Sequence, residues 1–192
     1  SLTTEEAMID DILNEAETKM KKACDVLRSD FRTIRTGRAS PPLVERLRVE
    51  YYGTLTPLNQ LASISVPEPR LLVVRPWDSS VLEEIEKTIL KSELGLTPNN
   101  DGTLIRLAIP RLTEERRQEL TKVVGRRVED GRVAVRNVRR NAQEDLRDLE
   151  REKLISEDEL HDARKELQDL HDKYVAQMSE IGTAKQQEIM EI

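Results

Sequence analysis

The longest unbroken pattern in the chain runs from Thr113 to Ile155, more than forty residues without a proline. Its apolar positions Val124, Val128, Val135, Val138, Ala142, Leu146 and Leu149 recur at steps of three and four or their sum. That spacing lays one apolar stripe along an α-helix, and so long a stripe must be covered by other helices of similar length. Arg132, Arg136, Arg139 and Arg140 flank the stripe, and at about 100° per residue they form a second line beside the buried seam. Between Gly131 and Gln143 there are four arginines and no acid.

Two further stripes supply the cover. Ile9, Leu13, Ala16, Met20, Ala23, Leu27, Phe31 and Ile34 repeat at helical spacing after a start at Thr3 or Thr4, where Glu5 and Glu6 favour a first turn. This helix stops at Arg35-Thr36-Gly37-Arg38-Ala39-Ser40-Pro41-Pro42, because Gly37 suits a left-handed C-cap and the prolines forbid continuation. Near the other end, Lys153–Ile155 reads as a break. Ser156 with Glu159 then forms a capping box ahead of Leu160, Ala163, Leu167, Leu170, Tyr174, Met178 and Ile181.

Between the first and second long helices the period changes to two. Leu47–Tyr51, Leu55–Pro57, Leu61–Val66, Leu71–Val74 and Thr103–Ile109 read as strands. A short helix, capped by Asp78 or Ser79, carries Val81, Leu82, Ile85, Ile89 and Leu90 and ends at Gly95, and Pro98–Gly102 reads as a turn. The expected fold class is therefore α+β: a three-helix bundle from residues 1–36 and 112–192, with a small β-rich domain carrying one short helix, residues 37–111, inserted into it. The joining segments, Thr36, Gly37, Arg38, Ala39 and Ser40 on one side and Pro110, Arg111 and Leu112 on the other, are expected to act as a hinge. Long helices make an elongated molecule, about 45 Å for thirty residues.

Composition narrows the chemistry. Aromatics are only 3% of the chain, so the core must be aliphatic, and the net charge of −6 argues against general attraction to nucleic acid. The charge is uneven: Arg32, Arg35, Arg38, Arg46 and Arg48 are opposed only by Glu45, whereas the first thirty residues and the last forty are acidic. The lone Cys24 cannot close an internal disulfide, which suits a reducing compartment. No apolar run reaches about 20 residues, so a soluble, cytoplasmic protein that does not engage membranes is expected. The chain opens on Ser1-Leu2 and not on Met, which reads as a processed or appended start.

Nothing in the sequence points to catalysis. P-loop, GxGxxG and nucleophile-elbow patterns are missing from the sequence, and His161 and His171, ten residues apart without partners at ligand spacing, read as solvated. No cofactor or metal is expected. The arginine line is the one candidate site. It can be a solvated face paired with Glu144, Asp145 or the acidic last helix. It can equally be a surface for phosphate, because Arg136 and Arg139 have no acid three or four residues away, whereas Arg132 has Glu129 and Arg140 has Glu144. Without interleaved aromatics, structured RNA fits better than single strands. A scaffold that binds another protein along the same flank is the alternative.

Several segments carry a family resemblance. They are Arg35-Thr36-Gly37-Arg38-Ala39-Ser40-Pro41, Val49-Glu50-Tyr51-Tyr52-Gly53, Thr56-Pro57-Leu58-Asn59-Gln60-Leu61-Ala62, Leu94-Gly95-Leu96-Thr97-Pro98-Asn99, Leu112-Thr113-Glu114-Glu115-Arg116-Arg117 and Val133-Ala134-Val135-Arg136-Asn137-Val138-Arg139-Arg140. From about Met8 onward the chain resembles the bacterial ribosome recycling factors. The resemblance implies an L-shaped monomer, an antiparallel three-helix bundle with an inserted small β/α domain that moves and faces elongation factor G. It implies a non-enzymatic translation factor that binds the large ribosomal subunit and, with elongation factor G and GTP, splits post-termination ribosomes into subunits. Arg132, Arg136, Arg139 and Arg140, with Arg35 and Arg38 near the joint, are the residues expected to meet large-subunit RNA. The chain departs from the family pattern at Gly125 and Gly131, where bulkier residues are common, and at Asn141, where an acid is.

Overall fold

A computed structural model describes residues 1–191; Ile192, the last residue of the expected bundle segment, lies outside the described residues. The chain divides into two compact units, one formed by Ser1–Phe31 with Gln118–Glu191 and the other by Arg32–Arg117.

In the first unit, helix α1 spans Thr4–Arg32 and buries Leu13, Ala16, Met20, Cys24, Leu27 and Phe31. Two more helices are needed to close the bundle, α3 (Glu114–Arg151) and α4 (Glu157–Met190), and apart from the first four residues of α3 both follow the second unit in sequence; α2 (Leu82–Lys91) belongs to that other unit. The stripe of α3 buries Leu120, Val124, Val128, Val135, Ala142 and Leu146, while Val138 and Leu149 are half-buried. A fully enclosed leucine such as Leu146 contributes about 1.5–3 kcal/mol. Arg151 closes α3, Lys153 takes a positive φ of 58°, and Ser156 restarts the chain as the N-cap of α4 with both halves of the capping box formed.

Cross-helix contacts fix the direction of each helix. Gln186 donates to the Thr121 carbonyl, Gly182 lies against Val128 and Gly131 against Met178, so α3 and α4 run antiparallel. Glu17 faces Lys173 and the Cys24 thiol donates to the Tyr174 carbonyl at 3.9 Å. Residues 19–30 of α1 line a groove with residues 127–138 of α3, and residues 12–19 line one with residues 138–145, so α1 runs antiparallel to α3 and therefore parallel to α4. Burial pushes the Cys24 thiol up from its ordinary pKa, and burial together with Glu17 pushes Tyr174 up to about 12.

The second unit holds two antiparallel sheets. Strands β1 (Arg48–Tyr51) and β2 (Thr54–Pro57) form a hairpin pairing Arg48 with Pro57 and Tyr51 with Thr54. Its two-residue turn, Tyr52-Gly53, has positive φ at both positions (50° and 79°), the twist that suits a tight hairpin. The second sheet has the order β3-β4-β6-β5, built from Ala62–Glu68, Leu71–Pro76, Ile105–Ala108 and Pro98–Asn100. Pro67 sits where the register of the edge strand β3 slips, a place that can spare a ladder donor. Helix α2, Leu82–Lys91, buries Leu82, Ile85 and Ile89 in a cluster shared with Val49, Leu72, Val74, Ile105 and Leu107. Asp78 starts a 3-10 turn at Ser79–Val81 ahead of it by accepting from the Ser80 N–H at 3.0 Å.

Three expectations need correction. The short helix α2 ends at Lys91 and does not reach Gly95. Pro98–Asn100 is an edge strand paired with β6, and only the residues after it turn. The first long helix ends at Arg32 and does not reach Ile34. Short 3-10 helices at Pro41–Leu43 and Leu58–Gln60 also escape a period-based reading.

Candidate nucleic-acid interface

Helix α3 brings Arg132, Arg136, Arg139 and Arg140 onto one side, next to its buried stripe. Their surroundings differ. Arg132 has two partners: its Nη2 donates to Ser179 Oγ on α4 at 2.7 Å and its Nη1 to Glu129 Oε2 at 3.3 Å. Arg136 donates from Nη1 to the other oxygen, Glu129 Oε1, at 3.0 Å. The hydrogen bonds from Arg136 and then Arg132 hold the Glu129 carboxyl below its ordinary pKa.

Arg139 reaches across to α4 and donates to Gln168 Oε1 at 3.1 Å. Gln168 in turn donates from Nε2 to Asp172 Oδ1 at 2.9 Å, and the same oxygen lies 2.9 Å from His171 Nδ1. The His171 and Gln168 hydrogen bonds depress the Asp172 pKa, and the charge of Arg139 adds to them. Arg140 is exposed and, among the described residues, has no side-chain hydrogen bond or ion pair. The pairing with Glu144 that its spacing allows is not made.

Three details differ from the sequence expectation. Arg136 does have an acid, seven residues back: two helical turns, about 10.5 Å of rise, separate the Cα atoms, and long side chains bridge that distance on one face. His171 is not solvated; its side chain is 12% exposed and packs beside Asp172. Gly131 is not merely a weak helix position, because it faces the Met178 thioether. The partners Gln168, Ser179 and Asp172 lie on another helix and need the interhelical register to be found. Glu129 was within reach of a search at seven-residue spacing.

The remaining arginines belong to the other unit. Arg35 is half-buried and donates to the Leu94 carbonyl, while Arg38 is exposed. The joining segments lie beside each other there: a Cβ built on Gly37, whose φ is 83°, would be 3.6 Å from the backbone nitrogen and Cγ of Leu112. Thr36 and Gly37 are buried, and the Ala39 N–H donates to the Pro69 carbonyl at 2.7 Å.

Among the described residues no group of three or more His, Cys, Asp or Glu side chains is placed to hold a metal ion, and no helix is long and apolar enough to cross a membrane.

Residues 27–190 match the family model described as ribosome recycling factor. The ribosome-recycling factor of Roseiflexus castenholzii is 60% identical over 96% of this chain and all of its own length. That of Carboxydothermus hydrogenoformans is 56% identical over the same shares. A solution structure of a ribosome recycling factor, 45% identical, superposes with a TM-score of 0.77 over 96% of this chain and 98% of its own. A second structure, 43% identical, covers 95% of this chain and 99% of its own with a TM-score of 0.65. It is a model of the Thermus thermophilus (T. thermophilus) factor, presented with that of E. coli elongation factor G bound to the E. coli post-termination complex. By sequence and by structure, the chain belongs to the ribosome recycling factor family, which is made up of translation factors and not enzymes.

Proposed function

We propose that the chain recycles ribosomes by anchoring its helical bundle on large-subunit ribosomal RNA through Arg132, Arg136, Arg139 and Arg140, while elongation factor G and GTP supply the work that separates the subunits. The observation that carries this reading is the row of four guanidinium groups on α3. None is buried in a closed ion pair, and Arg140 is unpartnered among the described residues. Guanidinium forks match phosphate oxygens, and a row of them on a long helix suits a folded RNA backbone.

Arg38, exposed in the other unit, adds a further phosphate contact in this reading; Arg35, tied to a backbone carbonyl, gives structural support to it. The chain acts as a monomer in the cytoplasm. The β-rich unit, residues 37–111 in this reading, moves on the segments Thr36–Ser40 and Pro110–Leu112 and receives the push of elongation factor G. Kinship with a factor treated together with elongation factor G and the post-termination complex supports that partner.

Co-sedimentation with purified ribosomal subunits, followed by a splitting assay with elongation factor G and GTP, tests the proposal. Binding to the large subunit that weakens steeply with salt, and splitting that requires both partners, are expected. Salt-insensitive binding, or splitting unaffected by loss of the arginines, would overturn it.

A further inference from the structure

The arginine row contains its own counter-ion. Glu129 lies just outside the acid-free stretch of α3, and it is the only carboxylate ion-paired with the row among the described residues. Each of its oxygens is engaged by a different arginine, Oε1 by Arg136 at 3.0 Å and Oε2 by Arg132 at 3.3 Å. A phosphate group would offer the same two guanidinium groups the same pair of charged oxygens. We propose that Glu129 is an internal competitor for phosphate: it holds Arg132 and Arg136 in the free protein, and RNA must displace it to engage them. The inference rests on the assignment of the α3 arginines to RNA.

Exposure and geometry favour an exchange over a fixed strut. The side chains of Glu129, Arg136 and Arg132 are 50%, 44% and 32% exposed, so water screens both pairs and neither is strong. The two arginines also differ in what happens on release. Arg132 keeps its second anchor, Ser179 on α4. Arg136 has no other side-chain partner among the described residues, so it becomes wholly available. Arg140, already unpartnered, is left to make the first contact.

The exchange has a signature in salt dependence. Phosphate binding by a free cation releases a condensed counterion from the RNA, and the slope of affinity against salt counts those events. Cations already neutralised by a carboxylate contribute less net charge to the encounter. Removing the carboxylate should therefore tighten binding and steepen its salt dependence together.

The test compares the full chain with its Glu129→Gln and Glu129→Ala variants. The probes are purified large ribosomal subunits and a generic RNA duplex of about 16 base pairs, the span that shape-reading proteins cover. Both variants should bind both probes about three- to tenfold more tightly, with a slope steeper by about one phosphate contact and unchanged helicity by circular dichroism. In an Arg132→Ala/Arg136→Ala background the Glu129→Gln gain should fall to within about twofold. Equal or weaker binding by both variants would overturn the inference and make Glu129 a positioning residue for the arginines. A gain undiminished without the two arginines would also overturn it, leaving only a charge acting at a distance. If Arg136→Ala, Arg139→Ala and Arg140→Ala leave RNA binding unchanged, the RNA assignment itself falls and the inference with it. If those three weaken binding while Glu129→Gln does not strengthen it, only the inference falls.

Discussion

Gly182 on α4 lies so close to Val128 on α3 that a Cβ built on the glycine would sit 2.5 Å from the valine Cγ2. One turn along the same seam the roles reverse, and Gly131 of α3 faces the Met178 thioether of α4, 2.8 Å from where its Cβ would be. Each helix supplies a gap for a side chain of the other. In a core with few aromatic residues, this exchange sets how near the two backbones lie.

Gly182→Ala should destabilise the bundle by up to about 2 kcal/mol. Alanine gains about 1 kcal/mol in helix propensity, but a β-branched valine in a helix has one strongly preferred rotamer and cannot swing aside, and overpacking costs about 1–3 kcal/mol. Adding Val128→Ala should return stability, with a favourable coupling of at least about 1 kcal/mol in a double-mutant denaturation cycle. Simple additivity would mean that the contact is not what opposes the alanine.

Gly125 and Gly131 separate propensity from packing. Nothing lies within 4 Å of a Cβ built on exposed Gly125, so Gly125→Ala should stabilise the protein by about 0.8–1 kcal/mol in urea denaturation. At Gly131 the obstacle is the unbranched, flexible end of Met178, which can shift. Gly131→Ala should therefore fall within about 1 kcal/mol of the wild type, between its two neighbours in effect.

Arg139→Ala should leave the melting curve unchanged, since its Gln168 contact is at the surface. Large-subunit binding should weaken by about tenfold, the scale of one charged hydrogen bond, and the salt slope should fall by about one. Lysine at 139 should rescue only in part, because a point charge does not reproduce the fork.

Asp101 gives the β-rich unit a measurable acid limit. Its carboxylate accepts from the Leu104 and Thr103 N–H groups, each at 2.9 Å, and from Arg106 at 2.7 Å. Those bonds, the backbone ones first, lower its pKa from 3.8 to about 2. A depressed carboxylate stabilises the fold fully above the unfolded value, and that contribution is lost as pH falls from 3.8 toward about 2. Denaturation followed by the single Trp77, which belongs to this unit, should show a shallower pH dependence in that window for Asp101→Asn than for the wild type.

The helices were legible because their information is local. Stripe residues at three- and four-residue steps and the Ser156–Glu159 box state a helix and its start without reference to the rest of the chain. The β-rich unit was legible only as a set of strands. Which strand neighbours which depends on side chains distant in sequence, so the order β3-β4-β6-β5 and the pairing of Pro98–Asn100 with β6 lay beyond a period-based reading. The arginine row was visible as a line of residues, while its partners were not. Gln168 and Ser179 become neighbours of Arg139 and Arg132 only through the register of α3 against α4, and the small residues Gly131 and Gly182 help to set that register.

The closeness of Gly37 to Leu112 makes residues 38–111 a loop whose two ends already meet. A segment held this way can be cut out and its gap bridged by a short peptide, or another module with equally close termini can be put in its place. Replacing residues 38–111 by a short linker is therefore the route to a chain that keeps α3 and its arginine row.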